Sequence, residues 1–285
     1  MINATSLANR LEPGVSPRSI ARLVSGQSSP RTLIGVSALL FAISAAVTIV
    51  WCSSMSAMGE MPMPGGWSMP MVWMRMPGET WAGAGASFVG MWLVMMVAMM
   101  LPSLVPMLTR YRCAVGWAGE GRLDRLTVLA GAGYFFVWTA IGLVIFPLGA
   151  GLAAAEMQLS NLARAVPMMA GIIVLGAGAL QFTAWKSHHL KCCREAPVGT
   201  RRLPADSRTA WRQGVNFGRH CGLSCANLTA ILLVAGVMDL RAMAAVTAAI
   251  TAERLAPAGE RAARAIGVAV VGAGLLLIAR AAGLG

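Results

Sequence analysis

Long apolar blocks alternate with short polar gaps along this chain, and the lengths of the blocks set the first expectation. A helix that crosses a bilayer needs about 20 mostly apolar residues, because each adds about 1.5 Å against a hydrocarbon core of about 30 Å. Blocks of that size run over Leu33–Trp51, Trp81–Leu108, Thr127–Gly149, Val166–Trp185, roughly His220 to Met238, and Ala265–Leu284. Pro102 and Pro106 interrupt the second block. Ala242–Leu255 is shorter and reads either as a short span or as a buried half-helix. The pattern predicts an all-α fold, a polytopic transmembrane helical bundle of about seven spans, one of them short.

Composition agrees. Hydrophobic residues make up 57% of the 285 and charged residues 12%, against roughly 45–50% and about 25% in soluble domains. The net charge of +12 does not point to nucleic acid, because the basic residues fill the gaps between blocks and lack interleaved stacking aromatics. They orient the chain instead. With a cytoplasmic N-terminus and seven crossings, 19 of the 23 basic residues fall on the cytoplasmic side. Only Arg75, Arg164, Arg241 and Arg280 fall outside, as the positive-inside rule requires. The expectation is a multi-pass protein of the inner (plasma) membrane, its closest partner the lipid bilayer. Four regions follow: a disordered cytoplasmic tail over 1–32, an uncleaved anchor over 33–51, an extracytoplasmic Met/Pro/Gly-rich loop over 52–80, and a metal-binding helical domain over 81–285.

Fourteen of the 20 methionines lie between Met55 and Met107. Met55, Met58, Met61, Met63, Met69, Met71, Met74 and Met76 fall in the extracytoplasmic loop. A thioether is uncharged and soft, selects Cu(I) over hard ions, and forms no disulfide in an oxidising compartment. The loop is therefore a candidate Cu(I) collector, the plain alternative being a flexible apolar loop anchored by Trp67, Trp73 and Trp81. Met91, Met95 and Met99 then repeat every fourth residue, with Met96 and Met100 in the adjacent row. This ladder suits a relay of sulfurs across the bilayer, though methionine also fills gaps between packed helices.

All three histidines and four of the six cysteines lie between His188 and Cys225. His188, His189, Cys192 and Cys193 are expected to continue the fourth helix, with His220, Cys221 and Cys225 at the start of the next. Helical spacing pairs His188 with Cys192, His189 with Cys193, and Cys221 with Cys225. Soft sulfur and imidazole donors suit Cu(I), with Zn(II) the alternative. His189, Cys193, Cys221 and Cys225 are expected to form one site, with His188, Cys192 and His220 in reserve.

With these residues in view, the chain resembles a bacterial family of predicted metal-binding integral membrane proteins, a domain of unknown function, over roughly Ala82 to the C-terminus. The marks are Met96-Val97-Ala98-Met99-Met100-Leu101-Pro102, Gly133-Tyr134 with Val137-Trp138, Lys186 through Arg194, Gly218 through Cys225, Gly236 through Asp239, and Glu253-Arg254. His189 stands where the family pattern has a first cysteine, Ser224 where it has another, and Asp239 where it has asparagine. The resemblance implies metal binding and names no activity.

Together these features predict a Cu(I)-handling membrane protein, a transporter or a chaperone serving a membrane cuproenzyme or another copper chaperone. The alternative is an accessory subunit whose Met and Cys serve packing. No nucleotide-binding Gly-x-x-x-x-Gly-Lys-Ser/Thr motif and no catalytic triad occur, so enzymatic activity is not expected. Asp239 with Arg241, and Glu253 with Arg254, are read as interfacial ion pairs.

Overall fold

The computed structural model describes residues 30–57, 59–75, 78–116, 119–195 and 203–283. The tail expected to be disordered lies almost wholly outside the described residues, as do Met58 and Met76. Helix α1 is Pro30–Ala57, and a hairpin follows, with β1 at Glu60–Met63 and β2 at Trp67–Pro70. A single 3-10 turn, Met71–Trp73, leads to α2 at Trp81–Val115, then α3 at Glu120–Gln158 and α4 at Ser160–Leu180. The chain ends with α5 at Ala184–Glu195, α6 at Ser207–Ala235, α7 at Leu240–Leu255 and α8 at Gly259–Ala281. This is an all-α helical bundle, in which six helices (α1, α2, α3, α4, α6 and α8) are long and apolar enough to cross a membrane.

Three boundaries differ from the sequence expectation. Helix α2 runs through Pro102 and Pro106 to Val115. Each proline removes one N–H bond to a carbonyl four residues back, and α2 persists because its buried face packs on α3 and α7. The fourth block divides. Helix α4 stops at Leu180, and Thr183 Oγ1 accepts from Lys186 N (3.3 Å) to start the separate helix α5. His188, His189, Cys192 and Cys193 thus ride on an independent element and do not continue the fourth helix. Helix α6 begins at Ser207, well before His220, because Asp206 caps it by accepting from Thr209 N (2.8 Å). That bond holds the Asp206 carboxyl below its ordinary range.

The bundle has two distinct ends. At one, Trp67 Nε1 donates to Ala163 O (2.8 Å), seating the hairpin on the start of α4, and Cys52 Sγ lies 3.8 Å from Met238 Sδ. At the other, Leu203 N donates to Ala114 O (3.0 Å), Arg122 donates to Ala205 O (2.6 Å), and Arg194 donates to Pro257 O (3.2 Å). Helix α7 runs from the first end towards the second. Its 16 residues give a length of about 24 Å, short of a full hydrocarbon core. Asp239 caps α7 by accepting from Arg241 N (2.8 Å) and Ala242 N (3.3 Å), so it bonds the backbone of Arg241, where the sequence suggested a side-chain ion pair.

Two tight helix pairs, α3 with α6 and α4 with α8, form the frame. Gly218 permits the α3–α6 contact, since a Cβ there would come within 2.8 Å of Tyr134 O. Glu253 near the end of α7 does not pair with Arg254. It accepts from Lys186 Nζ at 2.8 Å, with both side chains almost fully buried (1% and 2% exposed). Gln181 Nε2 donates to the same carboxylate (2.7 Å), while Lys186 also donates to Ser224 O (2.5 Å) and Asn227 Oδ1 (3.3 Å). This network ties α4, α5, α6 and α7 together.

Removing one member of a buried pair leaves an uncompensated charge, at about 3–5 kcal/mol. Lys186→Met is therefore expected to destabilise by that amount, and Lys186→Met/Glu253→Gln to recover most of it. Unfolding midpoints in detergent measure both; equal stability of wild type and single variant would contradict the role given to the pair.

Candidate metal centre

One residue of α7 organises the sulfur chemistry. Arg254, 8% exposed, extends between α2, α5 and α6. It donates to Ser103 Oγ (3.1 Å), Ser224 Oγ (2.9 Å), Cys221 O (3.4 Å) and Cys225 Sγ (3.0 Å), and reaches Cys193 Sγ at 3.9 Å. Two thiols from two helices thus meet one guanidinium, with Cys221 joined to it through its carbonyl. Ser224 holds the thiols of Cys193 (3.6 Å) and Cys225 (3.7 Å). Tyr134 Oη meets Cys221 Sγ at 2.8 Å, and Met100 Sδ lies 3.9 Å from the same sulfur. Cys193, Cys221 and Cys225 are all at most 3% exposed. Burial pushes the Cys193 thiol up from its ordinary range, with the Arg254 charge pulling it back.

The expected four-ligand set is divided by the structure. Cys193, Cys221 and Cys225 gather around Arg254, whereas His189 turns to His220, their Nδ1 atoms 3.4 Å apart. His188 Nε2 and Cys192 Sγ, one turn apart on α5, approach to 3.7 Å. His189 is held below the ordinary imidazole range, first by burial and then by the neighbouring His220 and His188. Among the described residues, no three His, Cys, Asp or Glu side chains are arranged as a ready metal cage. The sulfurs gathered here that could hold a soft ion are the thiols of Cys193, Cys221 and Cys225 and the thioether of Met100.

The methionine ladder is internal. Met91, Met95, Met96, Met99 and Met100 are at most 5% exposed and share one core with Cys221 and Cys225. From Met91 to Met100 the row climbs about 14 Å of helix. Above it, Trp73 packs on Phe88 (centroids 5.2 Å apart) and Phe88 on Trp92 (6.0 Å), joining the loop to the row. In the hairpin, Met61 opposes Met69 and Met63 opposes Trp67. Met63 and Met69 are buried with Ala153 and Ala163, with Met61 packed against them. Met55, Met71 and Met74 are half-buried.

Sequence reasoning missed Arg254 as the centre of the cluster, together with Ser103, Tyr134, Ser224 and Lys186 as its supports. A signal existed: Glu253 and Arg254 are charges inside an otherwise apolar block, and such residues turn inward and find partners.

Among curated proteins and solved structures, nothing matches the chain. A family model does match, that of PpoB2, described as a copper chaperone, over residues 89–277. This stretch opens just before Met91, takes in the methionine ladder, the thiol cluster, the histidines and Arg254, and leaves the hairpin outside. On a match covering about two thirds of its length, the chain belongs to the PpoB2 copper chaperone family.

Proposed function

We propose that the protein is a membrane-embedded Cu(I) chaperone that passes the ion between a thioether-lined outer end and the thiol cluster around Arg254. The observation that carries this reading is the 3.9 Å approach of Met100 Sδ to Cys221 Sγ, which joins the last member of the buried methionine row to the thiols. Thioethers bind Cu(I) softly and without proton release, so an ion moving along them exchanges one neutral ligand for another. The thiol end binds more firmly. Cu(I) held by two thiolates carries one net negative charge, and the Arg254 guanidinium balances it where an uncompensated charge would be costly. The ion would then leave for a membrane cuproenzyme or a second copper chaperone.

The exposed faces support a lipid environment: Leu39, Leu143, Ile172, Val268 and Leu275 project outward from α1, α3, α4 and α8. The hairpin end carries Arg75, Arg164, Arg241 and Arg280. Arg110, Arg112, Arg122, Arg125, Lys191, Arg194, Arg208, Arg212, Arg261 and Arg264 belong to the opposite end. By the positive-inside rule, this asymmetry supports a reading with α5 in the cytoplasm and the hairpin outside. The burial of Met63 and Met69 beneath the hairpin favours packing for those two, leaving Met55, Met61, Met71 and Met74 as the more accessible collectors.

Copper content of the full chain in detergent under reducing conditions tests the thiol end. Cys221→Ser/Cys225→Ser, nearly isosteric, should lose the firmly held copper of the thiol end while remaining folded. Replacing Met91, Met95, Met96 and Met99 by leucine, with Met100 kept, conserves volume. It should preserve final copper content at the thiols yet slow loading on the order of tenfold, equivalent to about 1.4 kcal/mol in barrier. Unchanged copper in the cysteine variant would sink the reading. Orientation has its own check: a single cysteine placed at Ser68 should react with an impermeant probe only from the outside, and one at Lys191 only from the cytoplasm. The reverse pattern would invert the assignment.

A further inference from the structure

We infer that His189 and His220 form a second metal site, separate from the thiol cluster, where an ion is exchanged with the aqueous side. The inference deepens the copper reading by giving it a transfer station, and rests on that reading only for the identity of the cargo.

The geometry comes first. Two imidazole nitrogens bound to one ion at about 2.0–2.1 Å each, at a near-tetrahedral angle, stand about 3.3–3.4 Å apart. The two Nδ1 atoms, one on α5 and one on α6, stand 3.4 Å apart. The rings are tilted by 42°, with centroids 5.6 Å apart. Trp185 lies edge-on to His189 at 4.9 Å and restrains that ring. Both histidines are half-buried, so part of each ring lies outside the packed core. Two protein ligands with open positions describe a site that exchanges ligands, unlike a closed structural site.

Placement gives the site its role. His220 directly precedes Cys221, and His189 stands one turn before Cys193. An ion leaving the imidazoles for the thiols therefore travels about 6 Å along the helices. The neighbouring pair His188 and Cys192, with a 3.7 Å N···S separation, offers an incoming or departing ion one further imidazole and one further thiol. The chemistry also differs from that of the buried cluster. Imidazole accepts borderline ions such as copper and zinc, whereas thiol with thioether selects Cu(I). The arrangement sets a permissive outer site over a selective inner one.

Co(II), whose visible absorption reports ligand type and geometry, is the probe, added alone to the full chain in detergent. Wild type and Cys221→Ser/Cys225→Ser should both develop four-coordinate absorption bands of equal intensity. His189→Gln/His220→Gln should lose them. A second variant guards against a trivial loss through misfolding: His189→Cys should keep the bands and add sulfur-to-cobalt charge transfer. If the histidine pair were only an imidazole–imidazole hydrogen bond, the bands would be absent from the wild type or would survive His189→Gln/His220→Gln, and the inference would be overturned. Loss of the bands in the double cysteine variant, or no charge transfer in His189→Cys, would overturn it equally. Failure of Cu(I) to bind the thiols would count against the chaperone mechanism and leave this site standing.

Discussion

A guanidinium buried in an apolar bundle needs hydrogen-bond acceptors around it, and the site follows from that requirement. Arg254 meets it with two serine hydroxyls, a helical carbonyl and the sulfurs of two helices. Its neighbour Glu253 meets the matching demand for donors through Lys186 and Gln181. These two consecutive residues of α7 hold α2, α4, α5 and α6 at fixed distances. Helix α5 is short and polar, and has little apolar surface to bury. The Lys186–Glu253 pair and the bonds from Arg194 to Glu253 O and Pro257 O fasten it to the bundle.

The same constraint links fold to chemistry. A cation among thiols favours the anionic complex that Cu(I) makes with two thiolates, and disfavours a second free cation beside it. On the proposed chaperone reading, the cluster takes one soft ion between its thiols. On the proposed reading, the Met100–Cys221 contact at 3.9 Å joins the methionine row to the thiols, a path that water-preferring ions would find costly. The half-buried His189 and His220 are where the inferred second site places ligand exchange.

Much of the frame was legible in the sequence because block length is a strong signal: six apolar blocks became six long helices. Boundaries were less so. The beginning of α6 is polar, and only the Asp206 cap marks it. The turn at Gln181–Thr183 carries neither proline nor glycine, so α5 looked like a continuation of α4. The hairpin was hidden because proline and glycine at Pro62, Pro64, Gly65, Gly66 and Pro70 signal turns without fixing strands. Within the site, the residues that carried the family resemblance, Met100, Tyr134, Lys186, Cys193, Cys221, Cys225, Glu253 and Arg254, converge in space. Spacing on single helices paired Cys221 with Cys225 but also paired His189 with Cys193, and the structure divides that second pair. Such arithmetic describes one helix face and says nothing of rotation against a neighbour.

X-ray absorption at the copper edge, on the full chain loaded under reducing conditions with a single equivalent of Cu(I), tests the central claim most directly. The account predicts a shell made only of sulfur, with the thiols of Cys221 and Cys225 as its core and one fewer sulfur in Met100→Leu. A shell of nitrogen or oxygen, or a sulfur shell unchanged in Cys221→Ser/Cys225→Ser, would contradict it.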